Sequence, residues 1–190
     1  MSLSLEIDIL TPFQVGGSQG HAAFALARKY PGLFVIIQDL EPITVAAAKE
    51  VPSDISALGD RVRFMPHNFL CEDQPVKGAD VYFFRWIFHN WSDKYSIRIL
   101  RGLIPGLKKG ARVVICDNVM PAPGEIRSRA HEVRLRSQDM CMAEIQNAHE
   151  RELDDWKKLF ETADQRFNFV GATLPPGSNL WMIVVEWQGD

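Results

Sequence analysis

Three side chains in this sequence could together move a proton: His89, Asp117 and Glu150. His89 lies in an aromatic-rich stretch at 85–93 (RWIFHNWSD), directly after an apolar run at 79–84 (ADVYFF) that reads as a strand. Imidazole is the side chain best matched to taking a proton near neutral pH. Asp117 closes a second apolar run at 112–116 (RVVIC). If the two runs are adjacent strands, His89 and Asp117 face one cleft, where an acid orients the ring and favours its charged form. Glu150 falls in 147–152 (NAHERE), just before a helical pattern. Taken alone, it reads equally as a capping or solvated acid, and a lone His among apolar residues is most often structural.

A second group of residues is suited to holding a cofactor. Residues 15–21 (VGGSQGH) stand between a short apolar run and an Ala-rich helical run. Strand, glycine turn and helix form the first turn of a doubly wound sheet: glycines let the backbone approach a ligand, and the helix start presents free N–H groups. The dinucleotide fingerprint would need a glycine at Val15. Gly16, Gly17 and Gly20, with Ser18 at the middle position, fit the looser G-x-G-x-G of S-adenosylmethionine (SAM) methyltransferases. A plain tight turn would read the same way. Asp39 follows the second apolar run, 23 positions after Gly16. That is the spacing of an acid accepting from adenosine ribose hydroxyls, although an acid at a helix start would also stand there. Asn68 and Phe69 follow the third run, where an amide could bond an adenine edge and a ring could stack on it.

The elements that must position these residues alternate along the chain. The pattern predicts strands at 13–15 (entered through Pro12), 33–38, 62–65, 79–84 and 112–116. It predicts helices at 18–30, 41–50, 93–107, 127–148 and 153–163. Helix 93–107 carries Ile97, Leu100, Leu103 and Leu107 on one face and is closed by Lys108, Lys109 and Gly110; helix 153–163 carries Leu153, Trp156, Leu159 and Phe160. The last two strands, 167–173 and 180–187, flank a Pro175-Pro176-Gly177 turn and can pair only as an antiparallel hairpin. The expected fold is α/β: a Rossmann-like, mostly parallel seven-stranded sheet with helices on both faces, closed by that hairpin, as in SAM methyltransferases.

Composition agrees with one domain. The chain has 190 residues, 46% hydrophobic and 24% charged, with a net charge of −3, which supports a sizeable core. No basic block points to nucleic acid, and no apolar run reaches membrane-spanning length. Cys71, Cys116 and Cys141 are odd in number and widely spaced. They suggest neither disulfides nor zinc, read as buried small hydrophobes, and fit a reducing cytoplasm.

The motifs also carry a resemblance. Residues 83–93 (FFRWIFHNWSD) resemble the HDWSD segment of the caffeate-type SAM-dependent O-methyltransferases of plants and fungi. VGGSQGH, QDL (38–40), VVICDNVMP (113–121) and NAHERELDDWKKLF (147–160) match in the same order. Arg85-Trp86 and the 147–151 segment are most similar to fungal members acting on aromatic polyketides. The resemblance implies a catalytic domain that transfers a methyl group from SAM to a phenolic hydroxyl of a small aromatic substrate, without a metal. It implies His89 as the base, with Asp117 and Glu150 flanking it. It places Gly16 against the SAM amino-acid moiety, Asp39 on the ribose, Asn68 and Phe69 at the adenine, and the Arg85 backbone beside the cofactor. It brings Met142 and Asn90 to the substrate.

The sequence departs from this family in three places. Gln14 stands where the family usually has an Asp for the SAM ammonium, Asn90 stands where an Asp is usual, and residues 1–12 are atypical. The family's N-terminal dimerisation domain has no counterpart here, so residues 1–190 read as the catalytic domain alone, with an apolar face left to cover. Two other readings stay open: a relative that keeps the fold as an interaction module, and an NAD-dependent dehydrogenase.

Overall fold

A computed structural model describes residues 12–122, 124–125 and 128–190. The atypical N-terminal segment lies, but for Pro12, outside the described residues. The seven strands are β1 (Pro12–Val15), β2 (Val35–Asp39), β3 (Val62–Pro66), β4 (Ala79–Arg85), β5 (Leu107–Asp117), β6 (Phe167–Thr173) and β7 (Trp181–Trp187). They form one sheet in the order β3-β2-β1-β4-β5-β7-β6. The pairs from β3 through β5 are parallel, and β7 runs antiparallel to both β5 and β6. The expected α/β architecture, hairpin included, is the observed one.

The helices are α1 (His21–Lys29), α2 (Glu41–Ala48), α3 (Ser53–Ser56), α4 (Asp93–Leu103), α5 (Arg129–Gln146) and α6 (Leu153–Ala163). The larger core lies where α4 and α6 meet β1, β4, β5 and β7: Phe84, Phe88, Leu100, Ile115, Trp156, Phe160 and Val185 are all buried there. A smaller one gathers Ala23, Phe24, Val35 and Ile37 between α1 and β2. Among the described residues no helix is long and apolar enough to cross a membrane.

Several boundaries differ from the sequence pattern, each for a physical reason. α1 begins at His21 rather than at 18, because Ser18 (φ +48°) and Gly20 (φ +82°) take left-handed conformations that no right-handed helix contains. A side chain at Gly20 would also bring its Cβ within 2.7 Å of Ile37 Cδ1. α4 ends at Leu103, where Pro105 forces a single 3-10 turn, Ile104–Gly106. Proline lacks the N–H that a continuing helix needs. Lys108, Lys109 and Gly110 therefore belong to β5 and do not cap a helix. The second strand is Val35–Asp39, so Asp39 is its last residue. The start predicted for helix 127–148 falls outside the described residues; α5 runs Arg129–Gln146 and leaves Val133, Met140 and Ile145 exposed. The cysteines are not uniformly buried either: Cys71 and Cys141 are exposed, and Cys116 is half-buried. Both exposed thiols stand on solvent-facing positions, Cys71 in the turn after β3 and Cys141 on the open side of α5.

Candidate active site

The carboxyl ends of β1, β2, β4 and β5 share one rim of the sheet, because these strands are parallel and adjacent. At that rim the glycine turn is fixed by backbone bonds: Gly17 N–H donates to Gln38 O (2.9 Å) and Gly20 N–H to Gly17 O (2.9 Å). Asp39 grips the same turn. Its Oδ2 accepts the Ser18 N–H and its Oδ1 the Leu40 N–H, both at 2.8 Å. Each oxygen keeps a further lone pair for a ligand hydroxyl.

Gly16 takes φ +66°. A Cβ there would collide with the Ile87 side chain and lie 3.6 Å from Phe69 Cε1. The turn therefore meets both the loop after β3 and the segment that carries His89. Phe69 stands edge-on to Trp91, with centroids 6.3 Å apart. The Asn68 side-chain oxygen is occupied locally by the Leu70 N–H (3.1 Å), forming a turn. Gln14, buried under the glycine turn, uses its Oε1 to accept the Ala23 N–H of the first turn of α1 (3.1 Å). This neutral amide thus caps a helix that has no side-chain cap of its own.

His89 sits in the single 3-10 turn Phe88–Asn90 just past β4, 8% exposed. Its Nδ1 is 3.2 Å from Glu150 Oε1, which also accepts the Asn118 amide (3.0 Å). A carboxylate can only accept, so Nδ1 carries the proton and the neutral ring leaves its lone pair on Nε2. Nε2 has no hydrogen-bond partner among the described residues. Asp117, fully buried, does not touch the ring: its Oδ2 accepts the Phe88 N–H (3.1 Å), and its Oδ1 has no partner among the described residues. It acts on His89 by charge and through the backbone. Glu150 is itself placed by Asp139 of α5, whose Oδ1 accepts the Glu150 N–H (2.8 Å).

The electrostatics of this trio are coupled. Burial pushes the His89 pKa down, but the Glu150 hydrogen bond and the charges of Asp117 and Glu150 outweigh it, with Arg151 opposing; the net direction is up from 6.5. Burial pushes Asp117 up to about 7, against the charge of His89 and the N–H groups of the turn. Both groups bind protons more tightly folded than unfolded. Their contribution to stability is therefore complete at low pH; Asp117's share is lost as pH rises from about 4 to about 7, and His89's as pH rises above 6.5. In ring-nitrogen NMR the His89 midpoint should lie above 6.5. Asp117→Asn removes one raising charge and should move that midpoint to lower pH; an unmoved midpoint would contradict the coupling.

Of the other candidate residues, Arg85 ends β4 with its side chain exposed, and its backbone pairs with Cys116. Asn90 is partly committed: its Nδ2 donates to Trp86 O (3.0 Å). Met142 is half-buried on α5, near the end of the helix, and its carbonyl receives the Ala148 N–H. Sequence reasoning missed Trp86, Asn118 and Asp139. Trp86 adopts φ +58°, strained for a bulky residue, and places its ring 4.8 Å from the His89 ring. Two aromatics three positions apart around a strand end were the available signal. Asn118 and Asp139 gave none.

The chain is similar in sequence and fold to known proteins. The family described as "O-methyltransferase domain" matches residues 6–166. The grayanic acid biosynthesis cluster O-methyltransferase of Cladonia grayi is 45% identical over 180 residues, covering 95% of this chain and 39% of that protein. O-methyltransferase gsfB of Penicillium aethiopicum is 44% identical over 174 residues, covering 92% of this chain and 39% of its own. Among solved structures, the complex of LepI with SAM superposes with a TM-score of 0.79 at 29% identity, covering 98% of this chain and 45% of that one. This chain thus spans about 39% of the length of these two curated relatives.

Proposed function

The chain belongs to the O-methyltransferase domain family, and from that premise we propose that residues 1–190 are the catalytic part of a SAM-dependent enzyme that methylates a phenolic hydroxyl of a small aromatic secondary metabolite. The observation that carries this is the buried His89–Glu150 pair at 3.2 Å, on a segment packed through Ile87 against Gly16 of the glycine turn. A proton acceptor and a cofactor cradle share one rim. The LepI structure, solved with SAM, supports the choice of cofactor. So does the fit of the site: the turn lets the backbone approach closely at Gly16, and Asp39 keeps accepting capacity for ribose hydroxyls.

When bound, SAM supplies a sulfonium-borne methyl that a phenolate oxygen attacks in line. The chain's own residues do the rest. A neutral phenol is a weak nucleophile, so His89 Nε2 takes its proton. Glu150 fixes the ring's tautomer and direction through Nδ1, as a carboxylate does for a histidine that must present its other nitrogen. The imidazolium that forms is stabilised by Glu150 and Asp117. Met142 and Asn90 face the substrate in this reading, with Trp86 beside the base.

Calorimetric titration of the chain with SAM and with NAD, followed by transfer of labelled methyl to a panel of phenols, tests the reading. SAM binding with transfer is expected. Binding of NAD alone would favour a dehydrogenase. SAM binding without transfer would favour the non-catalytic alternative, which Gln14, a neutral amide engaged in capping α1, specifically supports.

A further inference from the structure

The geometry points to Arg151 as a positioning residue for this reaction: one buried guanidinium holds the Phe88 and Trp91 carbonyls, before and after His89, and so places the backbone from which the ring projects. The inference rests on the methyltransferase reading above.

Arg151 is 1% exposed. Its Nη1 donates to Phe88 O (3.0 Å) and its Nη2 to Trp91 O (2.8 Å). Nε and Nη2 share Asp93 Oδ1 at 2.9 and 2.8 Å, and Nη2 also reaches Ser96 Oγ (3.1 Å). The guanidinium carbon lies 5.3 Å from the Trp156 ring centroid, and the Arg151 carbonyl accepts the Met120 N–H (2.8 Å). One residue thereby joins the exit of β5, the His89 turn, the start of α4 and the face of α6.

Adjacent residues divide the work. Glu150 takes the side chain of His89, and Arg151 takes the backbone on either side of it. The turn needs such a hold. It is closed from within by Asn90 N–H to Ile87 O and Trp91 N–H to Phe88 O (both 3.1 Å) and by Asn90 Nδ2 to Trp86 O, but these bonds do not fix where a single 3-10 turn, preceded by a left-handed tryptophan, sits on the rim. Stability alone is a poor account of Arg151. A buried ion pair is often no better than a well-packed apolar side chain, and here the partner carboxylate is more than half exposed. The planar fork of arginine, however, can address two carbonyls from one fixed plane, which a lysine ammonium cannot do.

The charged groups around His89 are Asp117 at the end of β5, Glu150 and Arg151 on the 147–152 segment, and Asp139 of α5 behind Glu150. Asp93 of α4 pairs with Arg151, with His149 Nε2 3.8 Å from it. Removing Arg151's charge should therefore raise the His89 midpoint, while exchanging it for another cation should not.

The test uses the whole chain and three variants. In Arg151→Lys, affinity for SAM should stay within about twofold and the His89 midpoint should hold. The Phe88, His89 and Trp91 amides should exchange about tenfold faster than in the wild-type chain while those in the centre of β5 keep their rates, and kcat should fall about 100-fold without a matching change in KM, the scale of loss expected from misplacing a reacting group. In Arg151→Met the midpoint should rise. Arg101→Lys makes the same exchange at an arginine that holds the Ala163 and Thr162 carbonyls (2.9 and 3.0 Å) rather than the His89 turn, and should keep kcat within about threefold. Wild-type kcat and exchange in Arg151→Lys would overturn the proposal, and so would an Arg101→Lys loss as large as that of Arg151→Lys. If the wild-type chain neither binds SAM nor transfers methyl, the methyltransferase reading fails, while amide exchange and the His89 midpoint still decide the role of Arg151.

Discussion

His89→Ala should lower the rate of methyl transfer about 10²- to 10⁴-fold, the usual contribution of a positioned general base, while leaving SAM affinity nearly unchanged. The separation follows from geometry. The cradle proposed for the cofactor comprises Gly16, Gly17, Gly20 and Asp39, whose bonds run within the turn and to β2. His89 bonds instead to Glu150, on the far side of the rim. The variant leaves Glu150 Oε1 with the Asn118 amide as its remaining partner, so some loss of stability should accompany the loss of rate. The measurement is single-turnover transfer from labelled SAM, set beside calorimetric binding of SAM. Transfer at the wild-type rate would remove the proton-accepting role from His89. Equal losses in binding and rate would mean that the ring helps to shape the cradle.

The second large effect is on stability. Trp156→Ala should destabilise the chain by about 3–5 kcal/mol, the usual cost of deleting a fully buried aromatic ring. Trp156 is 1% exposed, stacks on Phe160 with centroids 6.2 Å apart, and meets Phe88 edge-on at 6.0 Å. Its Nε1–H donates to Asn118 O (3.3 Å), which would be left buried without that donor. Against a typical total of about 5–15 kcal/mol, this is a large fraction. The site would feel it as well, because Phe88 precedes His89 and Asn118 holds Glu150. Urea unfolding midpoints measure the loss, with Ile145→Ser on the exposed side of α5 as a comparison expected to stay within about 0.5 kcal/mol. A loss below about 1 kcal/mol for Trp156→Ala would mean that α6 is not seated as described.

Much of this molecule was written in its local pattern. Apolar runs such as ADVYFF and RVVIC announced buried parallel strands, and α6 has the limits its periodicity indicated, Leu153–Ala163. The glycine turn, the acid that closes β2 and the terminal hairpin were legible because each is fixed by neighbours in the chain. Local pattern also misled where one residue overruled it. Pro105 cut the helix expected through 107, and left-handed Ser18 and Gly20 delayed the start of α1.

Sequence alone therefore determined the order and type of the elements and which residues crowd the carboxyl rim, since burial and backbone preference are encoded within a few positions. Only the tertiary structure decided the pairings across that rim. Glu150 meets His89 from 61 positions away, and Asp117 turns to the backbone of Phe88 instead of the ring. Arg151, within a segment that looked like a polar approach to a helix, reaches inward to the turn. Such choices depend on strand register and on the path of the 147–152 segment across the rim. They are set by packing between elements far apart in sequence, for which local spacing holds no record.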